Sequence, residues 1–237
     1  MRDDGATLAP FPPPDNTTQA LMEVAAKANV NMSDILAEGL FLSASDYGNA
    51  TFKSLNATAR FMTDAIFRCM SQSLAFSGAK HKVFPAVYAF EFNRTYQPPQ
   101  YTNFACDPPK TPSHPHGDPS KEYLKCHAGE IFYIMGSLGR MLPFRDEADV
   151  DFARLIIDYW AAFARSGNPN LDRKFLSARG YTGTLAQIER TSEWQQVSAE
   201  QPMLRLLEWG KGERMVPFRD IPQCRAIRLP LDYYEWK

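Results

Sequence analysis

The sequence carries almost no net charge: 26 basic residues against 27 acidic ones leave −1. That balance gives no electrostatic footprint for nucleic acid or for an anionic membrane surface. Long apolar runs are missing too. None approaches the roughly 20 residues that span a bilayer, and the first 20 residues, MRDDGATLAPFPPPDNTTQA, lack the apolar core of a secretory signal peptide. Neither a membrane span nor a leader is expected in these residues. Internal repeats and low-complexity tracts are absent, which excludes solenoids and arrays. Cysteine is sparse, but the four residues Cys69, Cys106, Cys126 and Cys224 form an even set that can make two disulfides in an oxidising compartment. Metal-ligand spacing of the C-x2-4-C or H-x3-5-H kind does not occur, although His114, His116 and His127 lie near Cys106 and Cys126. No metal and no cofactor is expected.

What is present is enough for a sizeable core: 237 residues, 44% of them hydrophobic, suit one large domain or two small ones. N-x-S/T triplets are over-represented. Nine asparagines and 26 serines plus threonines give about one triplet by chance, yet five begin at Asn16, Asn31, Asn49, Asn56 and Asn93. As glycan acceptors they need exposed surface in a secretory compartment. The chemistry is secretory and the N-terminus is not.

Helical spacing of Leu21, Val24, Ala25 and Ala28 predicts a helix from Gln19 to about Asn29, and a second short helix is placed after Ser33 as N-cap. A longer helix is predicted over 57–77, with Phe61, Ala65 and Cys69 on one face, Met62, Ile66, Met70 and Leu74 on the flanking face, and Gly78 as its end. Val83–Phe92 reads as a strand covered on both faces. Seven prolines between Pro98 and Pro119 make that stretch an extended loop. Ile131–Met135 is a short apolar run ended by Gly136. Asp146 and Asp149 are placed to cap a helix whose apolar positions Phe152, Leu155, Ile156, Tyr159, Trp160 and Phe163 run to Gly167. Strand-like pieces follow at Met203–Glu208 and Met215–Arg219. Alternating helices and strands make this an α/β protein, with few strands for a complete parallel sheet.

Three strings then resemble one family. Cys126-His127-Ala128-Gly129-Glu130, followed by Ile-Phe-Tyr-Ile-Met and Gly136, is similar to the histidine segment of the type-B carboxylesterases, the group of cholinesterases and fungal lipases. Trp160-Ala-Ala-Phe163-Ala-Arg-Ser-Gly167-Asn-Pro169 resembles the W-x-x-F-A-x-x-G-x-P segment that follows it there. Arg2-Asp3-Asp4-Gly5 resembles the D-E-G turn carrying the triad acid, with aspartate for the commoner glutamate. The resemblance implies an α/β-hydrolase fold and a serine-esterase mechanism. His127 becomes the general base, Asp4 the acid that orients it with Asp3 as the other candidate, and Glu130 a second buried acid whose hydrogen bonds hold the histidine loop. It also implies the disulfides Cys69–Cys224 and Cys106–Cys126, the second closing the histidine loop as in fungal members. The substrate class implied is a small-molecule or lipid ester.

The nucleophile of such an enzyme sits in G-x-S-x-G, and no such string occurs in the 237 residues; Gly136-Ser137-Leu138-Gly139 lacks the glycine two residues before the serine. In this family serine precedes acid and histidine. The expectation is therefore a single partial domain over 1–237, the C-terminal part of an α/β-hydrolase with an incomplete, mostly parallel sheet flanked by helices. Its upstream half is either lost or lies before Met1 in the gene. The complete protein is expected to be extracellular. The alternative is a catalytically inactive, cholinesterase-like binding or adhesion protein.

Overall fold

The computed structural model describes residues 1–41, 53–97, 104–210 and 214–235. A 3-10 turn at Asp4–Thr7 leads to α1 (Thr17–Lys27) and α2 (Met32–Glu38). Both helices start on sequon asparagines: Asn16 Oδ1 accepts from Gln19 N–H, and Asn31 Oδ1 from Ser33 N–H. Asn31, not Ser33, is thus the cap of α2, because its oxygen reaches an otherwise unpaired first-turn donor. A long helical stretch follows as α3 (Lys53–Met62), a π-helical segment (Thr63–Arg68) and α4 (Cys69–Lys80). It runs through Gly78, which does not end it; a side chain there would meet the Phe84 ring at 2.9 Å.

The sheet is small. β1 (Phe90–Phe92), β2 (Met203–Leu207) and β3 (Arg214–Pro217) lie in the order β1-β2-β3. β1 and β2 are parallel, with Phe90 opposite Arg205, and β2 and β3 are antiparallel, with Met203 opposite Pro217. The expected mostly parallel sheet holds for the first pair only; among the described residues the sheet is mixed. The expected ten-residue strand shrinks to three. Val83 and Phe84 are exposed, and only isolated carbonyls upstream, Val87 O and Ala89 O, accept from the chain alongside. Cover over β1 is uneven along its length: Glu91 on one face and Phe92 on the other are buried, while Phe90, on the Phe92 face, is 45% exposed.

Between β1 and β2 come α5 (Ile131–Ile134), α6 (Glu147–Ser166), α7 (Arg173–Arg179) and α8 (Thr182–Glu189); α9 (Ile221–Ala226) follows β3. α6 forms as its spacing predicts. Asp146 caps it through Asp149 N–H, Gly167 ends it at φ +71°, and Phe152, Leu155, Ile156 and Tyr159 join Phe92, Tyr133, Trp194 and Leu207 in one core. A second core joins α1, α2 and α3 to the Cys69–Cys224 disulfide. Among the described residues no helix is long and apolar enough to cross a membrane.

Burial along this long helix is only partly apolar. Phe61 and Cys69 are buried as their face predicts; of the flanking stripe Met62 is buried, and Ile66, Met70 and Leu74 are exposed. Asp64, Arg68, Gln72 and Ser73 are buried as well, and their charges are matched in place: Arg68 bonds Asp64 and Asp220, and Gln72 exchanges hydrogen bonds with the Arg219 backbone. Buried charge survives only when paired in this way.

Candidate active site

Two distant segments are joined before any functional side chain is considered. Asp3 N–H donates to Lys125 O at 3.1 Å, and Lys125 N–H donates back to the Asp3 carboxylate at 2.8 Å. This reciprocal pair brings the residues that follow, Asp4 and His127, side by side. Burial raises the Asp3 carboxyl, but Arg2 and the Lys125 amide outweigh it and hold it below the ordinary carboxylate range. Asp3 is therefore a structural clasp, and the contact with histidine belongs to Asp4: His127 Nδ1 lies 3.2 Å from Asp4 Oδ1. The other oxygen, Oδ2, accepts from the Met1 ammonium at 2.5 Å.

Asp4 is placed by close approach of backbone to backbone. Gly5 N–H donates to Thr63 Oγ1 at 2.8 Å, and Thr63 in turn donates to Ala59 O. A Cβ on Gly5 would fall 2.2 Å from Thr63 N and 2.4 Å from Met62 C, so glycine is required for the turn to seat on the helix. His127 is placed by its loop. Cys126 is tied to Cys106 across 20 residues, Leu124 N–H donates to Ala105 O, and Tyr96 N–H donates to Gly129 O at 2.8 Å. Gly129 packs where a Cβ would meet Thr95 and Gln97 at under 3 Å. His127 is 49% exposed at its side chain, and its Nε2 has no hydrogen-bond partner among the described residues. A neutral ring donating Nδ1–H to this carboxylate would keep Nε2 as a lone-pair acceptor.

The remaining expectations divide. Both disulfides form with the expected partners. Replacing Cys106 and Cys126 together by serine is expected to cost about 3 kcal/mol, the closure entropy of a loop this size, read as a lower denaturant midpoint. Glu130 does not hold a network: its Oε2 is buried and meets no hydrogen-bond partner among the described residues. That role falls to Asp149, which was expected only as a cap. Its carboxylate accepts from Arg94, from Arg145 through both backbone and guanidinium, and from the Tyr133 hydroxyl at 2.7 Å. Arg145 also donates to Thr95 O at 2.8 Å, so this buried cluster fixes the segment that supports Gly129. A signal existed in the sequence, since Asp149 shares the apolar helix face of Phe152 and Ile156, where an acid needs partners.

The sequons divide as well. Asn16 and Asn31 are exposed, and Asn93 is half-buried with its amide donating to Glu208. Asn49 lies outside the described residues. Asn56 is 5% exposed inside α3, which removes it as an acceptor in the folded chain: a helix needed by the core around the Asp4 turn cannot present that amide. Glycopeptide mapping after secretion is expected to find Asn56 bare.

Lys125 is the other unusual titrating group here. Burial, then the nearby Arg2, lowers its amine to about 7, while its Nζ donates to Tyr123 O. The unfolded chain binds this proton more readily than the folded one, so stability rises with pH between about 7 and the ordinary lysine value near 10.4. Lys125→Met is expected to flatten that rise in denaturation midpoints measured across the window.

Cys106, Cys126 and His114 have other partners among the described residues. Cys106 and Cys126 are consumed in a disulfide, His114 Nδ1 is engaged with Ser113 and Thr111 hydroxyls, and no group of three or more potential ligands occurs among the described residues.

A family model described as the carboxylesterase family matches residues 15–215. The chain belongs to that family, whose fold is the α/β-hydrolase fold, and so to an ester-hydrolase lineage. The matched span includes His127 and begins after Asp4. No curated protein matches the chain.

Proposed function

We propose that residues 1–237 are a single partial domain, the C-terminal portion of a serine-type carboxylic-ester hydrolase, supplying the acid and the base of its triad. The observation that carries this reading is the 3.2 Å contact between His127 Nδ1 and Asp4 Oδ1 in a chain of the carboxylesterase family. In the reaction, His127 Nε2 takes the proton of a serine hydroxyl as that oxygen attacks the ester carbonyl, then returns it to the leaving alcohol. The same nitrogen then takes a proton from water as hydroxide character attacks the acyl-enzyme, and gives it back to serine. Asp4 keeps the ring in the required tautomer and stabilises the imidazolium formed in each step. The serine would come from an upstream segment bearing G-x-S-x-G.

Two structural features support an upstream half packed here. The outer edge of β1 pairs with no strand among the described residues, and Phe90 with the stripe Ile66, Met70 and Leu74 is exposed, as apolar surface awaiting a covering layer would be. Two disulfides and the exposed sequons Asn16 and Asn31 suit secretion of the complete protein.

The test is hydrolysis of p-nitrophenyl butyrate. The 237-residue chain is expected to give no turnover above background. The chain joined to its upstream coding sequence is expected to turn over, with kcat reduced roughly 10⁶-fold by His127→Ala. Turnover indifferent to His127→Ala overturns the assignment; an upstream sequence without a G-x-S-x-G favours the inactive binding-protein alternative.

A further inference from the structure

The π-helical segment Thr63–Arg68 interrupts the long helix at the site. Its wide turn is closed by Cys69 N–H donating to Asp64 O, five residues back. In an α-helix residues i and i+5 point about 140° apart; a turn closed from i to i+5 brings them to one side. Here that geometry gathers three side chains onto the two segments that carry Asp4 and His127. Thr63 Oγ1 accepts from Gly5 N–H at 2.8 Å, and Arg68 Nη2 donates to Arg2 O at 2.5 Å. The Phe67 ring stacks on the His127 imidazole, centroids 4.9 Å apart and planes inclined at 28°. The segment is itself anchored from behind, through Arg68 to Asp220 at 2.8 Å and through Cys69 to Cys224.

We infer that Phe67 is a positioning residue for His127. This rests on the acid–base reading of Asp4 and His127. A half-exposed histidine held at one nitrogen can still swing about its side-chain torsions; a flat ring against one face leaves the orientation in which Nδ1 meets Asp4 and excludes those that tilt Nε2 away. Because the same six residues grip the Asp4 turn, acid and base are gauged from one rigid element. Phe67 is only half-buried, so its contribution to the core is small beside its contact with the imidazole.

The test uses the full 237-residue chain labelled at histidine, with the His127 signals assigned from His127→Gln. In the unsubstituted protein the His127 carbon-bound ring protons are expected upfield of the other three histidines, shifted by the Phe67 ring current. Phe67→Leu is expected to remove that shift and to speed carbethoxylation of His127 by diethyl pyrocarbonate roughly 2- to 10-fold, the bias one aromatic face contact gives. Phe67→Tyr is expected to restore both while leaving the thermal midpoint where it was. An unshifted His127 in the unsubstituted protein overturns the inference whatever the variants do. So does a Phe67→Leu protein with unchanged carbethoxylation. The acid–base reading fails separately, if Asp4→Asn leaves the His127 nitrogen shifts unaltered.

Discussion

Asp149→Ala is expected to destabilise the protein by about 3–5 kcal/mol, the cost of stranding buried charge. The substitution leaves the guanidinium groups of Arg94 and Arg145 and the Tyr133 hydroxyl without the acceptor they share. Both arginines are buried, and Arg145 fully so at its side chain. Removing one of the two cations as well relieves part of that penalty, so Asp149→Leu combined with Arg145→Met is expected to be more stable than the sum of the single changes. Denaturant titration of the four proteins measures this coupling directly. A pH dependence follows. Burial raises the Asp149 carboxyl, but Arg145 and Arg94 override burial and hold it well below its ordinary range. Its contribution is therefore fully present above the unfolded carboxylate value of about 3.9 and is lost as pH falls below it. Asp149→Asn is expected to lose most of its deficit relative to the unsubstituted protein as the medium is acidified.

Gly5→Ala is expected to cost about 3 kcal/mol, the upper part of the range for forced overpacking, and to separate the acid from the base. The atoms a new Cβ meets, Thr63 N and Met62 C, are helix backbone and cannot rotate aside. The N-terminal turn has to lift, breaking the Gly5 N–H to Thr63 bond and carrying Asp4 with it. Displacements of about 1 Å at such a pair are worth roughly 10²-fold in rate. The change in the denaturation midpoint of Gly5→Ala, set beside that of Thr63→Val, separates the clash from the loss of one hydrogen bond: Thr63→Val is expected to cost about 1 kcal/mol, and equal costs for the two would contradict the clash.

The legible parts of this molecule were those where a local signal and the tertiary fold agree. α6 is one: Asp146 as cap, Gly167 as stop and a 3.6-residue apolar period between them all survive in the structure. The histidine loop is another, because its motif and its cysteines carry the pairing with Asp4. Choosing between Asp3 and Asp4 took geometry, since the clasp that assigns Asp3 to Lys125 joins residues 122 positions apart. The helix at 57–77 was legible on the face of Phe61 and Cys69, which is buried. What its apolar period could not show is that Ile66, Met70 and Leu74 on the flanking face stay exposed while an ion-pair network around Arg68, whose partners Asp220 and Glu91 are remote in sequence, is buried. A one-residue widening at Thr63–Arg68 leaves no compositional trace. Asp149 reads from sequence only as a cap, because the three partners that hold it buried are spread from residue 94 to 145.

The pairing of Asp4 with His127 is tested most directly by the tautomer of the neutral His127 ring, read from long-range proton–nitrogen couplings in the unsubstituted chain and in Asp4→Asn. The account predicts the Nδ1–H form in the first and a shift toward Nε2–H, the form free imidazole side chains prefer, in the second. An Nε2–H ring in the unsubstituted protein, unmoved by Asp4→Asn, would contradict it.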